Sequence, residues 1–210
     1  MDIYEALAAR KTIRDFSSRE IDPQLIRKIL SAGFCAPTNN HMREWHFVIL
    51  QDRARRKELL DQATHPVGRR GAVGIVNRWG LTDETQRTLY IEAIPKQYGM
   101  LLNAGCLIFP CYSQPGTLLK PRDLSALNPF ASIWCCIENI LVAAAAEGIF
   151  GVTRIPFEAE RKILKEYLRV PEDYEIPCYL ALGYPAEGAA RARQVDICVQ
   201  ERIHMDEWGG

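Results

Sequence analysis

Between the Asn128-Pro129 pair and Gly148 runs a stretch that would be apolar on nearly every face of a helix. No other feature constrains the fold as much. Asn followed by Pro is a cap with Pro at the first helical position, and Gly is a favoured stop, so the pattern predicts a helix over 129–147. A helix that is hydrophobic all round must lie between two layers or between two subunits. Glu138, Asn139 and Glu147 interrupt the apolar run from Ile133 to Gly151, which argues for a core helix over a membrane span. Glu138 and Asn139 read as structural polar groups, partnered across the core or across a subunit boundary.

The rest of the chain supplies what such a helix packs against. Asp2 with Glu5 has the spacing of a capping box that opens a helix over 2–10. Asp22-Pro23 repeats the cap-and-Pro signal. Leu25, Ile26, Ile29 and Leu30 follow at helical spacing, Gly33 lies near the end, and Pro37 blocks continuation. Trp45 to Gln51 reads as a strand, and Asp52 caps a basic helix through Ala63. Residues 64–103 mix Gly, Pro and aromatic residues with polar ones, and only 84–98 reads as weakly helical. Ala104 to Tyr112 and Ile176 to Gly183 are strand-like, and Phe157 to Leu168 forms an amphipathic helix. In the tail, Val195, Ile197 and Val199 alternate with polar residues as in a half-buried strand. This order, with no repeat or linker, predicts one α+β domain over residues 1–210 with a mixed sheet.

Charge narrows the function classes. Formal net charge is zero, so there is no electrostatic footprint for nucleic acid and no basic tract for an anionic membrane. The seven cysteines include no Cys-x-x-Cys spacing, and Cys135-Cys136 falls in the apolar helix. Buried, reduced thiols in a cytoplasmic protein are the expectation. His41, His46, His65 and His204 fit no metal-ligand template, and no metal site is expected. Met1-Asp2 leads into no apolar signal segment. Neither a Ser-His-Asp set, nor paired carboxylates, nor a Gly-rich phosphate loop can be made out.

Local chemistry is concentrated near the N-terminus. Arg10-Lys11-Thr12-Ile13-Arg14 puts three cations and a hydroxyl within five residues, a set able to grip a phosphate monoester by charge-assisted bonds. Standing alone, such a run is a solvated basic face. It is followed by Cys35-Ala36-Pro37-Thr38-Asn39-Asn40-His41-Met42-Arg43-Glu44-Trp45-His46-Phe47, a polar loop that runs into the apolar Val48-Ile49-Leu50. In this order the two segments resemble the nitroreductase-like flavoprotein family, which opens with Arg-(Arg/Lys/His)-Ser/Thr-x-Arg/Lys and continues with Ala-Pro-Ser-x-x-Asn-x-Gln-Pro-Trp-x-Phe. The resemblance covers most of the chain and is weak in 64–103. It implies a nitroreductase-like α+β fold, a mixed central sheet flanked by helices, and an intertwined homodimer with non-covalent FMN at the subunit interface.

Residue by residue, the resemblance assigns Arg10, Thr12 and Arg14 to the ribityl and phosphate of FMN and Lys11 to the pyrimidine edge. A cation there favours the negative charge of reduced flavin. Leu182-Gly183-Tyr184-Pro185 matches the family's Gly-Tyr-Pro turn, and Arg191 and Arg193 match a basic pair closing on the same phosphate. Pro37, Thr38, Asn39 and His41 match the loop that covers the flavin from the second subunit. Arg43-Glu44 departs from the usual Gln-Pro; the pair could form an ion pair at the interface or reshape the loop. The Gly148–Glu158 segment matches the one that approaches the flavin N5, with Ile155, Pro156, Phe157 and Glu158 nearest. Ile155 stands where iodotyrosine deiodinases carry a hydroxyl residue, leaving the backbone N–H groups of Phe157 or Glu158 as donors.

The implied activity is reduction of an organic acceptor, such as a nitroaromatic or quinone, by NADPH or NADH in a ping-pong cycle. Two alternatives stand beside it. One is a specialised family member, reductive dehalogenase-like or flavin-destroying; the other is a non-catalytic FMN-binding storage or sensing protein. Residues 195–210 are expected to reach over the partner subunit.

Overall fold

The computed structural model describes residues 1–114, 116–191, 194 and 196–209. Local caps start the helices where the sequence places them. Asp2 and Glu5 form the capping box of α1 (Ile3–Ala9). Asp22 accepts from the Gln24 N–H at the head of α2 (Pro23–Gly33), and Asp52 from the Arg55 N–H at the head of α3 (Arg53–Ala63).

The sheet is built from β1 (Trp45–Leu50), β2 (Cys106–Ser113), β3 (Phe150–Arg154) and β5 (Tyr179–Gly183), in the order β1-β2-β5-β3. A short β4 (Tyr174–Glu175) pairs with the end of β2. All four ladders are antiparallel; the parallel component is a bridge between Thr12 and Gly151. Pro110 sits inside β2 opposite Phe47, beyond the three-residue β5 ladder, where its missing N–H leaves no β5 bond unmade.

Successive strand residues point to opposite faces, and two cores follow. Cys106, Ile108 and Tyr112 of β2, with Leu180 and Leu182 of β5, pack against α2 and α7 (Asn128–Ala146). Leu107, Phe109 and Cys111, with Tyr179 and Ala181, pack on the other face against α3, α6 (Gln97–Asn103) and α8 (Glu158–Leu168). α2 and α7 approach so closely that a Cβ on Gly33 would lie 2.8 Å from Ile140 Cγ1 and 2.9 Å from Cys136 Sγ.

Several expectations are corrected. Residues 69–78 form a helix, α4 (Arg69–Arg78), ahead of α5 (Glu84–Ala93). Gly71 and Gly74 depress its intrinsic propensity, but Ala72 and Val76 are fully buried against Ile94, and tertiary packing overrides the local signal. Asn128 is no cap: a 3₁₀ turn at Leu124–Leu127, capped by Asp123, leads directly into α7. All seven cysteines are free, yet Cys35, Cys135 and Cys198 are exposed. The expected strand at Ile197 and Val199 is absent; Val199–Arg202 is a 3₁₀ turn, and these two side chains are 64% and 53% exposed. Alternation makes a strand only where an edge accepts it, and among the described residues Ile197 and Val199 pair with none. Val195 lies outside the described residues.

Candidate functional site

After α1 the chain becomes extended and lies along the sheet's β3–β5 corner. Ile13, 2% exposed, anchors it, and its N–H donates to the Gly151 carbonyl at 3.4 Å. Ser17 N–H donates to the Tyr184 carbonyl at 2.9 Å, and Ala186 N–H to the Asp15 carbonyl at 3.0 Å. This approach requires glycine. A Cβ on Gly183 would stand 2.6 Å from Phe16 Cδ1 and 3.2 Å from the Gly105 backbone nitrogen.

With Ile13 turned inward, Arg14 turns into a cleft that also contains Asp15, Lys96 and Arg191. Burial pulls the Arg14 pKa below its ordinary value, and Asp15 and Tyr90 offset part of that shift. Lys96 Nζ holds Asp15 at 2.6 Å. A second hollow of about 200 Å³, between Ile13, Phe150, Gly188 and Arg191, adjoins through the same Arg191. The fold therefore brings Arg14 and Arg191 together from sequence positions far apart.

Arg10 is placed differently. Its Nε lies 2.9 Å from Glu138 Oε1 on α7, and it lines neither hollow. Glu138, expected to be partnered across the core or a subunit boundary, is instead exposed and pairs with Arg10 within the chain, while Asn139 Nδ2 donates to the Ala32 carbonyl at 3.4 Å. Lys11 is exposed, Thr12 is half-buried in its bridge to Gly151, and Arg193 lies outside the described residues.

The loop after α2 occupies another part of the surface. Pro37 and His41 are exposed, and Asn39 N–H donates to Ser132 Oγ at 3.3 Å. His41 and Arg43 adopt left-handed backbone, with φ of 61° and 51°. Such conformations are uncommon outside glycine and gather at sites. No ion pair joins Arg43 to Glu44 among the described residues. Asn40 Nδ2 instead donates to Glu44 at 3.2 Å and shapes the loop. Behind it lies a hollow of about 120 Å³ into which Thr38 and Tyr112 project. Both hydroxyls are buried with no hydrogen-bond partner among the described residues, and an unmade bond of that kind costs about 1–3 kcal/mol. This hollow shares no residue with those around Arg14 and Arg191.

The 155–158 segment leaves β3 with Ile155 and Phe157 each 66% exposed, Pro156 buried and Glu158 exposed. The Phe157 N–H is already engaged by Glu160 Oε2 at 3.3 Å, so it is not an available donor. Glu158 opens α8, where N–H groups lack intrahelical acceptors. Beneath the segment, Arg154 and Glu160 form a buried fork of 2.6 and 2.7 Å, joined by Gln97 on Arg154 Nε at 3.1 Å and by the Tyr179 hydroxyl. Burial alone would lower the Arg154 pKa; the Glu160 bonds and charge outweigh it and raise the pKa.

Sequence reasoning missed Lys96, Tyr112 and the Arg154–Glu160 fork. Nothing local points to Lys96 or Tyr112. Glu160, three residues into an amphipathic helix opened by Phe157, carries no local signal of the fork either.

The comparisons agree with this architecture. A protein of Archaeoglobus fulgidus, provisionally named NADH dehydrogenase/NAD(P)H nitroreductase, is 28% identical over 210 residues, 99% of each chain. The crystal structure of oxidised iodotyrosine deiodinase bound to FMN and 3-iodo-L-tyrosine shares the fold at a TM-score of 0.74, with 14% identity over 99% of this chain and 100% of that one. A variant of the FMN- and NADPH-dependent nitroreductase NfnB from Sphigopyxis sp. strain HMH aligns at 0.72, with 19% identity and full coverage of both chains. The family model matches residues 7–184, from the end of α1 through the Gly183-Tyr184 turn, and the chain belongs to the nitroreductase family of oxidoreductases.

Proposed function

We propose that this chain is an FMN-dependent NAD(P)H oxidoreductase that reduces a small organic acceptor, a nitroaromatic or quinone, as a cytoplasmic homodimer of single-domain protomers. The observation that carries the reading is the meeting of Arg14 and Arg191 in one cleft, which adjoins through Arg191 a hollow lined by Phe150 of β3. Arg14 bears a desolvation penalty there that a phosphate dianion would relieve. Bound FMN, when present, supplies the relay of an electron pair between donor and acceptor.

The chain's own residues bind and orient. Arg14, Arg191 and Arg193 hold the phosphate with Thr12, and Lys11 supplies positive charge at the ring edge. Arg10 joins them in the proposal, with its charge shared by Glu138. Ile155 to Glu158 form the wall beside the ring, with the Glu158 N–H as donor. Pro37, Thr38, Asn39 and His41 lie away from the Arg14 cleft in the same chain. They would therefore serve the partner's site, with the tail from 195 clasping it. No additional acid–base dyad is recognisable in the sequence and the site is built around one flavin face, so donor and acceptor would take the same space in turn, the ping-pong order. Ile155 offers no hydroxyl, which favours this reading over the dehalogenase-like one, while bleaching of the chromophore by anaerobic NADPH or NADH would exclude pure storage.

The test is the visible spectrum of the purified protein and its titration with FMN. Charge-assisted bonds contribute about 1.5–3 kcal/mol each, so Arg14→Ala should weaken FMN binding about 10- to 150-fold. Arg78→Ala, exposed on α4, should leave it unchanged. A colourless protein that takes up no FMN refutes the proposal.

A further inference from the structure

A further cavity of about 670 Å³ shares no lining residue with any of these hollows. It opens at the Leu50–Leu107 end of the β1–β2 ladder, whereas Tyr112 and its hollow lie at the Trp45 end, five strand steps or about 17 Å away. Phe16 lines it, next in sequence to Asp15 of the Arg14 cleft, and the two share no lining residue.

Its chemistry is unusual for an unassigned surface. Arg19, Arg53 and Arg56 line it against one carboxylate, Glu20. None of the three arginines forms an ion pair among the described residues. Arg56 is 4% exposed, and its guanidinium donates only to backbone carbonyls, those of Leu50, Gln51, Leu102, Ala104 and Gly105. Its hydrogen bonds are satisfied but no carboxylate bonds it directly; burial outweighs the attraction of Asp52, and a buried cation so placed favours an anion nearby. The other two guanidinium groups are positioned in advance. Arg19 is stacked 3.8 Å over the Tyr184 ring, and Arg53 Nη2 is anchored on Asn103 Oδ1 at 2.9 Å. Ser17 and Ser18 add hydroxyls, and Gln51 adds an amide.

We propose that this cavity binds a phosphorylated small molecule of mononucleotide size, with Arg19 and Arg53 on the phosphate, at a site separate from the Arg14–Arg191 cleft. The volume falls within the range of about 300–1,000 Å³ typical of small-molecule sites. Guanidinium forks suit phosphate oxygens.

The test is calorimetric titration of the protein as purified with inorganic pyrophosphate, then with AMP in competition. Saturable pyrophosphate binding that AMP displaces is expected. Arg19→Ala and Arg53→Ala, both exposed and therefore compatible with folding, should each weaken it about tenfold or more. Arg14→Ala should leave it unchanged, which separates this site from the proposed cofactor phosphate. No heat at millimolar pyrophosphate overturns the proposal, as does binding that survives both arginine variants. Loss of pyrophosphate binding in Arg14→Ala, or failure of AMP to compete, overturns it equally.

Discussion

The Arg154–Glu160 fork lies under the 155–158 wall and ties β3 to the first turn of α8. Replacing Glu160 with Ala removes both short bonds, 2.6 and 2.7 Å, from side chains that are only 8% and 9% exposed. Arg154 would keep the Gln97 bond and two ring contacts but lose its counter-ion. Breaking one partner of a buried pair costs about 3–5 kcal/mol. Loss of the Phe157 N–H bond adds about 1 kcal/mol, the scale of a lost cap. With a urea slope of about 2 kcal/mol/M, the midpoint should fall by about 2–3 M. The assay is urea unfolding followed by circular dichroism, at one fixed protein concentration because association shifts apparent stability. The double variant Arg154→Met with Glu160→Leu leaves no unpaired charge and should lose much less than Glu160→Ala alone. A Glu160→Ala midpoint within about 0.5 M of the parent, or a double variant as unstable as the two single losses added, would refute the reasoning.

Three further outcomes follow from particular contacts. Burial pushes Cys106, Cys111 and Cys136 from 9.0 to about 12, so the folded state keeps thiols that the unfolded chain ionises. Their contribution is fully present below pH 9 and is lost as pH rises towards 12; a urea midpoint that does not fall across that window contradicts it. Gly183→Ala should cost about 1–3 kcal/mol by driving Phe16 and the 12–17 segment off the sheet, and should reduce bound flavin in the purified protein. Gly74→Ala, with open space around its Cβ position, should be neutral or stabilising, which makes it the control. Cys135 is exposed in the single chain but lies on α7, so the proposed dimer predicts slow native thiol labelling there; rapid labelling of Cys135 in the native protein counts against an α7 interface.

What could be read from sequence was what is specified locally. Asp2, Asp22 and Asp52 bond to N–H groups two or three residues away, so those helix starts were visible without any tertiary knowledge. β2 was visible because its whole run is apolar. β3 was not: Gly151 interrupts the pattern, and the reason for that glycine, close packing on Leu182 and Leu141, lies in distant segments. Within the site, Arg14 and Arg191 came from motif resemblance. The diversion of Arg10 to Glu138 joins positions 10 and 138, and the anchoring of Asp15 by Lys96 joins 15 and 96. No local spacing encodes such pairs.

The long apolar helix, whose burial between layers or between subunits was open from sequence, is half answered by the fold. One side of α7 buries Ile133, Cys136, Ile137, Ile140 and Ala144 against α2 and the sheet. On the other, Ala131, Cys135 and Glu138 are exposed and Val142 is half-buried, a set at helical spacing. Nearby α1 leaves Ile3 60%, Tyr4 79% and Leu7 48% exposed, and the tail leaves Ile197 and Trp208 open. Apolar surface on this scale marks an interaction face. The Arg10–Glu138 ion pair lies on it. A second copy covering the face would exclude water from that pair, where Coulombic attraction is stronger than at a solvated surface. Dimerisation and the part proposed for Arg10 in FMN binding would then be coupled: weakening the pair by Glu138→Gln should lower dimer affinity and FMN affinity together in sedimentation and titration, and a loss of one without the other would show that the two are independent.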